Sequence, residues 1–240
     1  MTEPRILGRR PEQLEHPSTF ARMLAGLLIA TAGTVGVAML ADSAKEKDGW
    51  AGYDLGFTKH LVGIRTLELT DLAKALTFLG DVPVLCLLTV FTALLLWRVT
   101  KRLRPSVLLL AAVAGSGALT YAVKLLVARH RPGPSYVLGS IDTSYSFPSG
   151  HTLDSTAFLL TLAGLLWMSG ARLVSRIGGG LIAVLLSVGI GLSRLYLGYH
   201  WATDVLAGWL LAITWLSVLA TCAYLTRDLR LWPLRTLDRT

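Results

Sequence analysis

Charged residues are scarce in this chain. They fill 16% of its 240 positions, against 53% for hydrophobic residues, and mean hydropathy is +0.56. A water-soluble domain carries roughly a quarter charged residues, so a solvated globular protein is excluded. Cysteine is nearly absent. Cys86 and Cys222 both fall inside apolar runs, where free thiols behave as small hydrophobes; a disulfide framework and a cysteine metal site are excluded with them. No carboxylate cluster has the spacing of metal ligands and no cofactor motif appears, so neither a metal nor a cofactor is expected. No repeat of roughly 20–50 residues is visible, which rules out a solenoid.

Long apolar stretches dominate instead. Uncharged runs occupy Met23–Leu40, Val82–Trp97, Pro105–Val123, Ser155–Ala171, Ile177–Ser193 and Val205–Thr226. A bilayer core about 30 Å thick needs roughly 20 helical residues at about 1.5 Å each. Several runs are slightly short, so the spans must take in flanking residues such as Leu76–Gly80 and Lys124–Val127, or thin the bilayer locally. The expected fold is all-α: a polytopic membrane protein with six transmembrane helices in one bundle. The first run follows a leader of about 22 residues and exceeds the roughly 7–15 apolar residues of a signal peptide, so it reads as a retained helix.

The net charge of +8 invites a nucleic-acid reading, but its distribution argues against one. With six spans, the tails and the two short basic turns on one side hold 14 of the 23 Lys and Arg residues. This is the positive-inside pattern, which places both termini in the cytoplasm. Residues 1–18 and 227–240 are then cytoplasmic tails flanking a membrane domain over 19–226. Two outer loops decorate it. In 41–81 a charge run, Ala41–Asp48, precedes Leu67, Leu69, Leu72, Ala73 and Leu76 at helical spacing, an interfacial helix or an ordinary loop with one helical turn. The other, 129–150, is broken by Pro132, Pro134 and Pro148. Gly26, Gly33 and Gly36 permit close helix contacts within a bundle or between chains, so oligomeric state stays open.

Three polar blocks lie at the outer ends of these runs. The first is Lys124, six residues, then Arg131 and Pro132. The second is Pro148, Ser149, Gly150 and His151. The third is Ser193 and Arg194, five residues, His200, three residues, Asp204. His200 and Asp204 are four apart, so on a helix they share a face. A carboxylate on Nδ1–H fixes the tautomer and frees Nε2 as a nucleophile; alone, the pair equally suits a structural helix start. Lys124 and Arg131 are seven apart, two turns if the helix continues, and with Arg194 they form a trio of cations suited to phosphoryl oxygens. Arg129 suits a snorkelling helix-end cation. Gly150 permits close backbone approach at a helix start, and His151 sits where an imidazolium protonates a leaving group.

Together these positions resemble the type 2 phosphatidic acid phosphatase superfamily, whose pattern K-x6-RP, PSGH and SR-x5-H-x3-D is met at every position. The resemblance implies that His200 attacks phosphorus, Asp204 orients it and His151 protonates the leaving group. It implies that Lys124, Arg131, Arg194, Ser149 and Gly150 bind the phosphoryl oxygens. The implied activity is metal-independent hydrolysis of a lipid phosphate or diphosphate at the outer membrane face, with polyprenyl diphosphates, phosphatidic acid and phosphatidylglycerol phosphate as candidate substrates. The partners implied are a lipid substrate and the bilayer, not nucleic acid. Transfer of the phosphoryl group to a hydroxyl acceptor is the alternative. Outside the pattern, Asp154 reads as a wet helix-end carboxylate or as a partner of Lys124 or His151. Tyr136, Tyr145, Tyr196, Tyr199 and Trp201 read as an interfacial aromatic belt.

Overall fold

The computed structural model describes residues 19–228, so the whole of the expected tail over 1–18 and residues 229–240 of the other lie outside them. Among the described residues the chain is helix and connecting loop: α1 (Thr19–Glu46), α2 (Asp54–Gly63), α3 (Leu67–Leu79), α4 (Val82–Thr100), α5 (Leu103–Val127), α6 (Gly150–Met168), α7 (Leu173–Tyr196) and α8 (Ala202–Asp228). Five of these, α1, α4, α5, α7 and α8, are long and apolar enough to cross a membrane. The expectation of six is met in those five. α6, read from sequence as the fourth span, is 19 residues long and opens with His151, Thr152, Asp154, Ser155 and Thr156, which take it out of that set.

α6 is the centre of the bundle, packing against α4, α5, α7 and α8, while α1 lies along α8. Small residues allow the α1–α8 approach: a Cβ added at Gly33 would stand 2.0 Å from Thr214 Oγ1, and one at Gly26 would stand 2.2 Å from Thr221 Oγ1. These glycines therefore serve contacts within the bundle. Inter-helix hydrogen bonds fix the register where apolar packing cannot. Ser106 donates to the Ala93 carbonyl at 2.7 Å, Thr156 and Ser187 share a 2.5 Å bond, and Trp215 Nε1 donates to the Ala112 carbonyl at 2.9 Å.

The chain departs from its expected outline at one end of the bundle. The charge run is not a free loop: α1 continues through Glu46, because Ser43 and Ala44 are buried and Ser43 Oγ both donates to the Asp48 carbonyl and accepts from the Ala51 N–H. α2 was not foreseen. The helical spacing of Leu67 to Leu76 corresponds to α3, started by Thr66, whose hydroxyl accepts from the Leu69 N–H at 3.2 Å. α5 stops at Val127, since Ala128 takes a left-handed conformation (φ +50°), so Arg131 is not on the same helix as Lys124. Gly198, at φ +81°, is obligatory: a Cβ there would meet the Tyr136 carbonyl oxygen at 2.0 Å.

Two arginines bind this cap to the bundle. Arg65, between α2 and α3, donates to the Tyr136 and Tyr196 carbonyls, at 2.7 Å each through Nη2. Arg129 corrects the snorkelling expectation. Its side chain is 10% exposed and bridges two carboxylates, Asp54 at the start of α2 (2.7 Å) and Asp204 in the first turn of α8 (2.6 Å), which are 3% and 0% exposed. Thr203 completes the set, donating to Asp54 through its N–H (3.0 Å) and hydroxyl (2.5 Å). Removing one partner of a buried ion pair strands the other's charge, at about 3–5 kcal/mol. Arg129→Met and Asp54→Ala should each lower the melting temperature in detergent markedly. The double variant should be less stable by much less than the sum, and simple additivity would show that the three groups do not act together.

Candidate active site

All three sequence blocks lie at the end of the bundle that α2 and α3 cap. Lys124 is in the last turn of α5, His151 in the first turn of α6, Arg194 in the last turn of α7 and Asp204 in the first turn of α8. His200 lies in the bend between α7 and α8, ahead of the helix rather than on it. It still reaches Asp204: Nδ1 stands 3.4 Å from Oδ2. The Trp201 N–H donates to the same oxygen at 2.9 Å, and Arg129 holds Oδ1, so the carboxylate has no freedom to turn away.

With Nδ1–H directed at Asp204, Nε2 carries the free lone pair, which accepts from Arg131 Nη1 at 3.2 Å. His200 is 2% exposed. Burial, followed by the nearby charges of Arg131 and Arg194, pushes its pKa well below the ordinary histidine value, so the ring is neutral near pH 7. That is the protonation state of a nucleophile.

Lys124 and Arg131 converge although they share no helix. Lys124 Nζ donates to Ser144 Oγ at 3.1 Å and to the Tyr145 carbonyl. Arg131 donates to the Ser144 hydroxyl and carbonyl and to Asp142 Oδ2 at 2.6 Å. Burial alone would raise the Asp142 carboxyl, but the Ser144 N–H and the Arg131 guanidinium outweigh it and hold it below the usual carboxylate range. Asp142 thus takes up donors suited to an anion. Arg194, 5% exposed, stacks over the Tyr199 ring at 4.1 Å, donates through Nη1 to Thr77 at 2.8 Å, and keeps a buried Nε with no partner.

His151 Nε2 stands 2.7 Å from Asp81 Oδ1. Ser149 is fully buried; its N–H donates to the Asp204 carbonyl at 3.0 Å and its hydroxyl accepts from Thr152, which ties the second block directly to the third. Gly150 opens α6, and a Cβ there would crowd Thr120 Cγ2 at 3.1 Å. Asp154 makes no hydrogen bond to Lys124 or His151; it accepts from Thr120 on α5 at 3.4 Å. Three residues of the expected aromatic belt make specific hydrogen bonds. Tyr196 bonds Thr66 and Thr70, Tyr199 donates to the Leu138 carbonyl, and Trp201 donates to the His130 carbonyl.

Asp54, Asp81, Thr77 and Asp142 were not legible as site residues. Each lies in a segment whose local pattern gives no chemical spacing, and the fold alone brings it to the three blocks. Arg129 carried a faint signal, being a second cation two positions before Arg131.

A family model described as the PAP2 superfamily matches residues 105–228. Phosphatidylglycerophosphatase B of Bacillus subtilis is 30% identical over 167 residues, covering 67% of this chain and 78% of that protein. An undecaprenyl-diphosphatase of Sulfolobus acidocaldarius is 35% identical over 105 residues, 40% of this chain and only 44% of that protein. In fold, the chain resembles the crystal structure of a transmembrane PAP2-type phosphatidylglycerolphosphate phosphatase from Bacillus subtilis, with a TM-score of 0.67 over 92% of this chain and 100% of that one, at 24% identity. The family model spans the four helix ends that carry Lys124, His151, Arg194 and Asp204, and with agreement of that extent the chain belongs to the PAP2 superfamily, in its membrane-bound lipid phosphatase branch.

Proposed function

We propose that the protein hydrolyses a lipid phosphate or diphosphate through a phosphohistidine on His200. The observation that carries this reading is the state of that ring: Nδ1 faces the buried carboxylate of Asp204 while Nε2 faces the guanidinium of Arg131. Nε2 attacks phosphorus, the P–O bond to the lipid breaks, and the leaving oxygen takes a proton from His151. Asp204 stabilises the charge that His200 gains. Water then attacks the phosphohistidine, giving a proton back to His151 and releasing inorganic phosphate. Lys124, Arg131 and Arg194 hold the phosphoryl oxygens; the unpartnered Nε of Arg194 supplies a donor that a phosphoryl oxygen satisfies. An incoming phosphoryl group displaces Asp142 from Arg131, exchanging one anion for another.

The substrate belongs to the lipids because the site sits at the rim of apolar helices. Among the relatives, those named for polyprenyl diphosphate and for glycerophospholipid dephosphorylation bracket the choice. Polyprenyl diphosphate is our leading candidate. The topology proposed is six spans, α6 included, with the site outside and the termini in the cytoplasm, resting on the bias of Arg and Lys to the opposite end.

Purified protein in detergent with EDTA should release phosphate from a polyprenyl diphosphate or from phosphatidic acid, and His200→Ala should abolish release. Replacing Arg194 with Gln should lower the rate by about 10²–10³. Loss of lipid without a matching amount of free phosphate would point to phosphotransfer instead. The pH dependence has a definite sign. A histidine whose pKa is depressed stays neutral until the pH falls below its lowered value, so the acid limb due to His200 lies below pH 6.5. Histidine NMR of the free protein should find this ring neutral at pH 6.5, and an imidazolium there would contradict the assignment.

A further inference from the structure

We propose that Asp81, which lies outside all three sequence blocks, is a positioning residue for His151 and makes it one half of a second histidine–carboxylate dyad. The inference rests on the phosphatase reading above. Asp81 is the residue that precedes α4, where an aspartate ordinarily accepts from its own helix's N–H groups. It makes no such bond. Its carboxylate turns across to α6 and meets His151 Nε2 at 2.7 Å. Gly80 makes that approach feasible: a Cβ at this position would lie 3.2 Å from His151 Cδ2 and 2.9 Å from Ile190 Cγ2, so the chain passes flat against the imidazole.

The chemistry gives the contact a purpose. A general acid must be charged before it acts, yet Arg194 and Arg131 both lie within Coulombic reach of this ring, and two cations make an imidazolium costly. Asp81 supplies the compensating negative charge and fixes the ring's orientation. With Nε2–H held by Asp81, the proton delivered to the leaving oxygen departs from Nδ1. The P–O bond breaks, the O–H bond forms, and His151 ends neutral with its remaining proton on Nε2. In the second half-reaction Nδ1 takes a proton from the attacking water, restoring the imidazolium beside Asp81. The site then holds two dyads of complementary role: His200 with Asp204 as the nucleophile, and His151 with Asp81 as the acid, carrying the proton it delivers.

The test compares leaving groups. Decyl phosphate departs as an alkoxide, which needs a proton, whereas a decyl-substituted nitrophenyl phosphate departs as a phenolate, which does not. Positioned general acids contribute about 10²–10⁴ in rate, so Asp81→Asn should lower kcat for the alkyl phosphate by more than about tenfold and for the aryl phosphate by less than about threefold. Asp81→Ser keeps a residue suited to starting α4 and should show the same split at an unchanged melting temperature; Asp81→Glu should recover part of the alkyl rate. Equal losses on both substrates in the serine variant, or no loss on either, would overturn the assignment. Failure of the wild-type protein to release phosphate from either substrate, or release that survives His200→Ala, would instead overturn the phosphatase reading beneath it.

Discussion

A carboxylate fully removed from solvent, that of Asp204, is the constraint around which the end of this bundle capped by α2 and α3 is organised. An isolated charge there would be prohibitive, so the fold surrounds it with donors drawn from separate parts of the chain. Arg129 comes from the exit of α5, the Trp201 N–H from the bend before α8, and the His200 ring from that same bend. Its backbone carbonyl holds the Ser149 N–H at the start of α6. Meeting the demand of one buried anion therefore brings three helix ends together, and the same bonds fix the ring whose other nitrogen faces the cations. Structural satisfaction and the geometry that the proposed mechanism uses are here one set of contacts.

Arg129 extends that constraint outward. By bridging to Asp54 it makes α2, a short helix between α1 and α3, a direct support of the His200–Asp204 pair. Arg65 performs the parallel task for the end of α7, holding the Tyr136 and Tyr196 carbonyls close to where Arg194 leaves the helix. The cap formed by α2 and α3 thus reaches the site through two guanidinium bridges and through the Thr77–Arg194 contact. Changes in the cap should be felt as changes in the geometry of the three cations.

Most of the bundle was legible because lipid solvent imposes a simple rule: an apolar run of sufficient length satisfies its own backbone as a helix. The three blocks were legible because their spacing is chemical. What sequence did not disclose depends on contacts between distant segments. The convergence of Lys124 and Arg131 was expected along one helix and is achieved by leaving it, through the left-handed Ala128 and the return of the loop at Ser144. α1 outran its apolar pattern because Ser43 found partners in the following turn. Arg129 read as an ordinary helix-end charge and Asp81 carried no reading, since their partners lie 75 and 70 positions away in the chain. Tyr196, Tyr199 and Trp201 had the composition of an interfacial belt, and sequence did not disclose their bonds to the Thr66, Leu138 and His130 carbonyls.

The central claim is that phosphorus becomes bonded to Nε2 of His200. Rapid acid-free quenching of the protein during turnover, followed by peptide mass spectrometry under basic conditions, measures it directly. The account expects one acid-labile phosphoryl group on the peptide containing His200, located on the histidine and absent from His200→Ala. It also expects the signal to accumulate in His151→Ala with an aryl phosphate, whose departure needs no acid while water's attack loses its base. Turnover without any phosphoryl group on that histidine would contradict the mechanism.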